Sequence, residues 1–248
     1  MAQAFPEFLI LQPVSPLKQT MPNTISDIFF DLDHTLWDFE KNSALAFATI
    51  FEKHRIPVDL SAFLVHYVPI NLKYWEWYRM EKISQTELRF GRFKEAFDAL
   101  NHEISTEQIQ LLSEDYIHFL PQNNHLFDGT LELLDYLKPK YRLHIITNGF
   151  AQIQSNKLNN SNIHHYFHTV TDSEKAGVKK PNPLIFEYAL QAANAKKENS
   201  IMIGDCIDAD VNGALNFGID AILFDSNNLE TTGTIKKINH LSELKNFL

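Results

Sequence analysis

The stretch Ile25-Ser26-Asp27-Ile28-Phe29-Phe30-Asp31-Leu32-Asp33-His34-Thr35-Leu36 runs from an apolar, β-favouring segment straight into a polar cluster. It reads as a buried strand that ends in a loop carrying two carboxylates. Comparable short apolar runs recur at Leu143–Thr147, Ser200–Asp205 and Ala221–Asp225, each followed by a polar residue or a glycine. Helical stretches, among them Pro181–Ala193 and Asp210–Phe217, lie between the later runs. Strands alternating with helices predict a parallel α/β sheet covered on both faces, and such sheets bind ligands at the carboxyl ends of their strands. Asp31, Thr147 and Asp205 all fall at that edge.

From about Asn42 to Leu120 the rhythm changes. Ala44, Phe47, Ala48 and Phe51 repeat at helical spacing, as do Phe90, Phe93, Phe97 and Leu100. Ser84 with Glu87, and Ser105 with Gln108, have reciprocal capping spacing and predict helix starts near Gln85 and Thr106. At least four helices are expected. Because the insert interrupts the α/β unit after its first strand, it is expected to lie as a lid over that strand's carboxyl end, with hinges near Asp38–Lys41 and Pro121–Phe127. The expected division is an amino-terminal extension over 1–20, a sheet core from 21–40 and 122–248, and a helical cap over 41–121.

The chain has 248 residues, room for a large core, and 22 Lys+Arg against 31 Asp+Glu give a net charge of −9. That balance argues against nucleic acid or an anionic membrane as partner, so an anionic ligand needs a local positive site. Phe8–Leu11 is too short to span a bilayer, which takes about 20 apolar residues, and no basic segment precedes it as in a signal peptide. The single cysteine, Cys206, cannot form an internal disulfide and fits a reducing compartment, so a cytoplasmic location is expected.

Asp31 and Asp33 suit a reaction in which one carboxylate attacks and the other shuttles a proton. Oxygens from Asp31, the backbone carbonyl of Asp33 and Asp205 suit Mg²⁺, with Asp210 in support. Thr147, Asn148 and nearby backbone N–H groups are candidate phosphate donors, and Lys180 supplies a cation. A phosphate dianion and a carboxylate repel each other, and a metal with a lysine offsets that repulsion. Attack by Asp31 gives an aspartyl-phosphate, split by a water that Asp33 deprotonates, provided its surroundings let Asp33 carry a proton part of the time. Taken singly, each residue has a plainer reading as turn former, strand residue or helix start. Together they fall in a fixed order at one sheet edge.

Those same residues, Asp31-Leu32-Asp33-His34-Thr35-Leu36, Thr147-Asn148, Lys180-Pro181 and Gly204-Asp205 with Asp210, resemble the four motifs of the haloacid dehalogenase-like hydrolases over about residues 25–225. Phe30–Phe39, Ile146–Phe150 and Lys180–Asn182 look like the pyrimidine 5′-nucleotidase branch, which also removes phosphate from modified nucleotides. The resemblance implies a Rossmann-like core with an inserted helical cap of the C1 type. It further implies Asp31 as nucleophile, Asp33 as acid and base, Thr147 and Lys180 on phosphate with Asn148 beside them, and Asp205 on Mg²⁺. Asp210 matches the second acid of the fourth motif, and Asp208 has no assigned duty. The substrate is expected to be a small phosphorylated metabolite, a nucleoside monophosphate first. The alternatives are a sugar-phosphate phosphatase or mutase, a dehalogenase, for which Asp33 is unneeded, and a phosphate-binding regulator without turnover.

Tyr74, Trp75, Trp77, Tyr78, Arg79, Arg89 and Arg92 cluster in the insert, where aromatics can stack on a base or pack helices together. Arg79 and Arg89 are expected in solvent. His164, His165 and His168 lack a carboxylate or cysteine at ligand spacing and are expected at a helix end and strand surface. Cys206 is expected to be a small buried filler.

Overall fold

The computed structural model describes residues 24–226 and 235–248, so the expected extension over 1–20 lies outside the described residues. Six strands, β1 (Asp27–Phe30), β2 (Arg142–Thr147), β3 (Phe167–Asp172), β4 (Ser200–Gly204), β5 (Asp220–Phe224) and β6 (Lys237–Ile238), form one sheet in the order β3-β2-β1-β4-β5-β6. Every pairing is parallel. The chain runs from β1 to one side for β2 and β3, then crosses to the other for β4 onward. The crevice at the carboxyl ends of β1 and β4 is therefore the topological switch point at which such sheets bind ligands. Phe30 stands level with Ile145 on one neighbour and Ile203 on the other, so the loops after β1, β2 and β4 emerge side by side.

Alternation along β1 divides the core. Ile28 and Phe30 join one buried apolar cluster, while Phe29 faces a second with Ile185, Phe186 and Met202. This two-sided burial explains why β1 reads as an unbroken apolar run. The sequence reading marked β3 only through the strand surface expected around His168, gave it no range, and omitted β6. β3 exposes His168 at a sheet edge and so lacks a continuous apolar stretch, and β6 is two residues long.

The insert after β1 is built of four helices, α1 (Phe39–His54), α2 (Leu60–Arg79), α3 (Gln85–Ala99) and α4 (Thr106–Phe119). Gln85 and Thr106 begin helices as their caps predict. The Ser84 hydroxyl accepts from Glu87 N while Glu87 accepts from Ser84 N, and Ser105 accepts from Gln108 N. Phe47 of α1 is the hub of the insert's interior, its ring meeting those of Phe51, Phe63, Tyr67, Phe93 and Tyr116 at centroid distances of 4.5 to 6.2 Å. The two chain crossings run side by side: Asp38 N donates to His125 O at 3.1 Å, and the Asn42 amide bonds both His125 O and His125 N.

After the insert come α5 (Thr130–Leu137), α6 (Ala151–Asn160), α7 (Ser173–Ala176), α8 (Pro183–Ala193) and α9 (Gly213–Phe217), with a wide π-type turn over Ile207–Asn212 leading into α9. Among the described residues no helix is long and apolar enough to cross a membrane.

At the amino end of the sheet, His144 of β2 is fully buried, its Nε2 3.1 Å from Asp27 Oδ1 and its Nδ1 2.9 Å from Thr169 Oγ1. Burial outweighs the Asp27 hydrogen bond and pushes the imidazole down to about 4, so the folded protein holds it neutral. The unfolded chain takes up this proton near the ordinary histidine value and the folded one near 4. The contribution is therefore complete above about pH 6.5 and is lost as pH falls toward 4. His144→Gln is expected to flatten that part of a plot of unfolding free energy against pH, measured by urea denaturation.

Candidate active site

The sheet edge gathers the charged residues by backbone continuity. Asp31 N still donates to Ile203 O at 2.9 Å, so Asp31 extends the ladder by one residue before the chain turns. Leu36 N and Trp37 N then both close on Leu32 O, and His34 adopts a left-handed φ of 61°. Such a conformation is uncommon outside glycine and marks a loop held by its surroundings.

Lys180 Nζ lies at the centre of the edge. It donates to Asp31 Oδ1 at 2.6 Å, to Asp210 Oδ1 at 2.6 Å and to Ile146 O at 2.7 Å, and its side chain is 2% exposed. Burial disfavours this ammonium, but Asp210 and Asp31 outweigh it and raise its pKa, so it stays charged. Asp31 is raised well above the usual carboxylate range, first by burial and then by Asp210 and Asp205, against the opposing pull of Lys180. Asp205 is pushed up to about 7, chiefly by burial and then by Asp210. Oxygens of Asp31, Asp205 and Asp210 lie within 4.8 Å of one another. Three carboxylates against one ammonium leave a formal charge of −2, and an all-oxygen donor set suits a hard divalent cation. The residues present therefore fit Mg²⁺.

Gly204 makes room for this cluster. A Cβ there would lie 2.3 Å from Asp210 Oδ2, the oxygen that accepts from Cys206 N at 3.0 Å. Thr35 Oγ1 donates to Asp205 Oδ1 at 3.3 Å. Asp208 stays exposed, its carboxylate accepting from Asn212 within its own turn. Cys206 is half-buried and lines the cavity, so it is less enclosed than expected. Burial and then Asp210 push its thiol up, away from thiolate chemistry.

Asp33 sits apart from the acidic cluster. Its Oδ1 accepts from Lys157 Nζ at 2.5 Å and its Oδ2 from Gln154 Nε2 at 2.9 Å, both donors coming from α6. Lys157 is buried over the rings of Trp37 and Phe39, and burial lowers its pKa against the pull of Asp33. The sequence reading missed both α6 residues. Their trace is only a three-residue spacing, which puts them on one face of an otherwise polar helix.

Thr147 and Asn148 reach the edge as expected, but the Asn148 amide is committed to the backbone. Its Oδ1 accepts from Lys180 N at 2.7 Å and its Nδ2 donates to Lys180 O at 3.0 Å. Asn148 thus fixes the lysine, and what its side chain offers a ligand is small.

A cavity of about 350 Å³ opens over Asp31, Asp33, Thr147, Lys180 and Asp205. Its far wall is one face of α2, made of Asn71, Leu72, Trp75 and Arg79. Arg79 is half-buried there and not in open solvent. Arg89 is likewise half-buried, 4.7 Å over the Phe150 ring, which also meets Trp75 and Tyr78. Arg92 is buried among Tyr67, Phe93 and Tyr116 and donates to Asn71 Oδ1 at 2.7 Å. Tyr74 and Trp77 pack on each other. His164 and His165 lie in a short 3₁₀ turn and His168 on β3, outside any metal-ligating group among the described residues.

The model of the haloacid dehalogenase-like hydrolases matches residues 27–218, a span that contains every residue of this cluster. The chain belongs to that family. It is 35% identical to the pyrimidine 5′-nucleotidase PynA of Streptococcus pneumoniae, over 82% of this chain and 85% of that protein. It is 30% identical to the pyrimidine 5′-nucleotidase YjjG of Escherichia coli, over 88% of this chain and 96% of that one. Among solved structures, the HAD-hydrolase YfnB of Bacillus subtilis bound to magnesium superposes with a TM-score of 0.82 at 28% identity, covering 90% of this chain and 98% of YfnB. Its structure reveals interdomain movement.

In this family member the lysine balances a cluster that otherwise repels itself. Lys180→Met is expected to cost about 3–5 kcal/mol of stability in metal-free buffer, as removal of one partner from a buried ion pair does. Denaturant unfolding checks this, and added Mg²⁺ is expected to restore part of the loss.

Proposed function

We propose that this hydrolase is a Mg²⁺-dependent phosphatase that works through an aspartyl-phosphate on Asp31, with pyrimidine nucleoside monophosphates as its substrates. The observation that carries the reading is the separation of two carboxylates in one cavity. Asp31 is tied to Lys180 and the acidic cluster, whereas Asp33 is tied to α6. Two carboxyl groups in unlike surroundings can divide nucleophilic and acid–base work between them.

Mg²⁺ held by Asp31, Asp205 and the Asp33 carbonyl, with Asp210 in support, supplies positive charge where a phosphate dianion meets a carboxylate. The chain's own groups do the rest. Lys180 and the Thr147 hydroxyl hold phosphoryl oxygens. An Asp31 oxygen forms a bond to phosphorus as the bond to the ester oxygen breaks, and the departing oxygen takes a proton from Asp33. Asp33 then removes a proton from water, whose oxygen bonds to phosphorus as the bond to Asp31 breaks. Orthophosphate and the free alcohol are the products, and both aspartates return to their starting states.

The cavity falls within the range of about 300–1,000 Å³ usual for small-molecule sites. Trp75 offers a ring to a base, and Asn71 and Arg79 stand on the same wall. The relatives named as pyrimidine 5′-nucleotidases support the substrate class. The four helices over the cavity are proposed to act as a cap that closes on substrate and excludes water.

Phosphate release from a panel of nucleoside and sugar monophosphates, with Mg²⁺ or with chelator, tests the reading. Release is expected from pyrimidine nucleotides first, lost with chelator and reduced to background in Asp31→Asn. Full activity in that variant would remove the nucleophile, and preferential turnover of sugar phosphates would move the substrate class.

A further inference from the structure

The face that α6 turns toward Asp33 and Thr147 carries two buried polar side chains that take no part in the reaction above. Gln154 is 1% exposed and Lys157 2% exposed, and between them they supply a donor to each oxygen of Asp33. The same Gln154 Nε2 also donates to Thr147 Oγ1 at 2.7 Å. The other end of that amide, Oε1, is buried without a partner. The glutamine is therefore set by its donor end. Turning it over would press a carbonyl oxygen against the Asp33 carboxylate. Gly149 permits the approach, since a Cβ there would lie 2.5 Å from Gln154 Cδ.

These contacts fix where protons can point. An ammonium and an amide nitrogen are donors only, so a proton carried by Asp33 cannot be shared with α6. It has to occupy a lone pair on the side away from Lys157 and Gln154, where Asp33 lines the cavity. Thr147 is constrained in the same sense. Its oxygen accepts from Gln154 Nε2 and from Gly149 N at 3.1 Å, which fills both acceptor positions of a hydroxyl. Its single proton is left to donate, and Thr147 also lines the cavity. Lys157 is locked in its turn by the rings of Trp37, at 4.3 Å, and Phe39, at 5.3 Å.

We infer that Gln154 and Lys157 are a positioning pair that aims the Asp33 proton at the leaving-group oxygen and the Thr147 hydroxyl proton at the phosphoryl group. The inference rests on the phosphatase reading above. In the step concerned, the bond from phosphorus to the ester oxygen breaks, its electron pair stays on that oxygen, and the Asp33 proton goes to it. Neither α6 residue gains or loses a proton.

The test compares two esters. An alkoxide such as a nucleoside 5′-oxygen needs a proton in order to leave, whereas p-nitrophenolate leaves without one. kcat/KM reports the steps up to transfer onto Asp31 and omits the later attack of water. The readout is therefore the ratio of kcat/KM for a pyrimidine nucleoside monophosphate to kcat/KM for p-nitrophenyl phosphate. In Lys157→Met, kcat/KM is expected to fall about 100-fold for the nucleotide and to stay within about threefold for p-nitrophenyl phosphate. In Gln154→Met the ratio is expected to fall in the same direction, on top of a loss common to both esters because Thr147 is no longer aimed. A protein merely loosened by substitution loses both activities by one factor, and that result, or no loss at all, overturns the pair. If Lys157→Met does not fold, as judged by thermal unfolding, Gln154→Met, a neutral replacement of similar length, decides alone. Asp33→Asn is the reference. If it changes the ratio and neither α6 variant does, the positioning role falls and the phosphatase reading stands. If it leaves the ratio unchanged, the acid assigned to Asp33 falls, and the pair falls with it.

Discussion

The whole sheet edge depends on one buried ammonium. Lys180 Nζ touches a carboxylate from the loop after β1, a carboxylate from the turn before α9 and the Ile146 carbonyl near the end of β2. Without it, three carboxylates would share a buried space whose members already disfavour one another's charge. A charge in that position is costly to bury and is retained only with close partners, so its presence defines what else the site needs. One positive charge does not balance three negative ones, and a divalent cation with oxygen ligands is the simplest complement. On the proposed reading, metal binding and the meeting of Asp31 with an anionic substrate have a common electrostatic origin.

The sheet topology makes that arrangement inexpensive in backbone terms. Because β1 lies between β2 and β4 in level register, Asp31, Thr147 and Asp205 reach one crevice with the strands in ordinary geometry. The special features lie in the loops and at one strand end: the left-handed His34, the wide turn over Ile207–Asn212 and the bare Gly204 that ends β4 against Asp210. A rigid sheet sets the coarse positions and a few unusual loop residues set the fine ones.

The chemistry-bearing aspartates and Lys180 were legible because they follow apolar strands in a fixed order, and the caps at Ser84 and Ser105 announced their helices. What stayed hidden depends on distant partners. Nothing in Ala151–Asn160 separates Gln154 and Lys157 from ordinary solvated helix residues, since the carboxylate they hold lies more than a hundred positions away in the chain. Arg92 was named in the insert's cluster but its partner Asn71 was not, since the pair forms only when α2 and α3 are packed together. Asn148 was legible by position but not by role, because its amide serves a backbone 32 residues further on. β3 was marked only by the strand surface expected around His168, because an edge strand with one wetted face has no continuous apolar run.

The end of β2 ties the two halves of the site together. Successive residues of an extended chain point to opposite sides, so Thr147 and Asn148 face different neighbours across a single peptide. Asn148 turns to the loop that carries Lys180 and clamps its backbone from both directions. Thr147 turns to α6 and shares Gln154 with Asp33. The cation beside Asp31 and the donors on Asp33 are therefore referenced to the same two residues, and any shift of this strand end moves both carboxylates together. Neither clamp includes a residue of the insert, so the spacing of Asp31 and Asp33 is set within the sheet core alone.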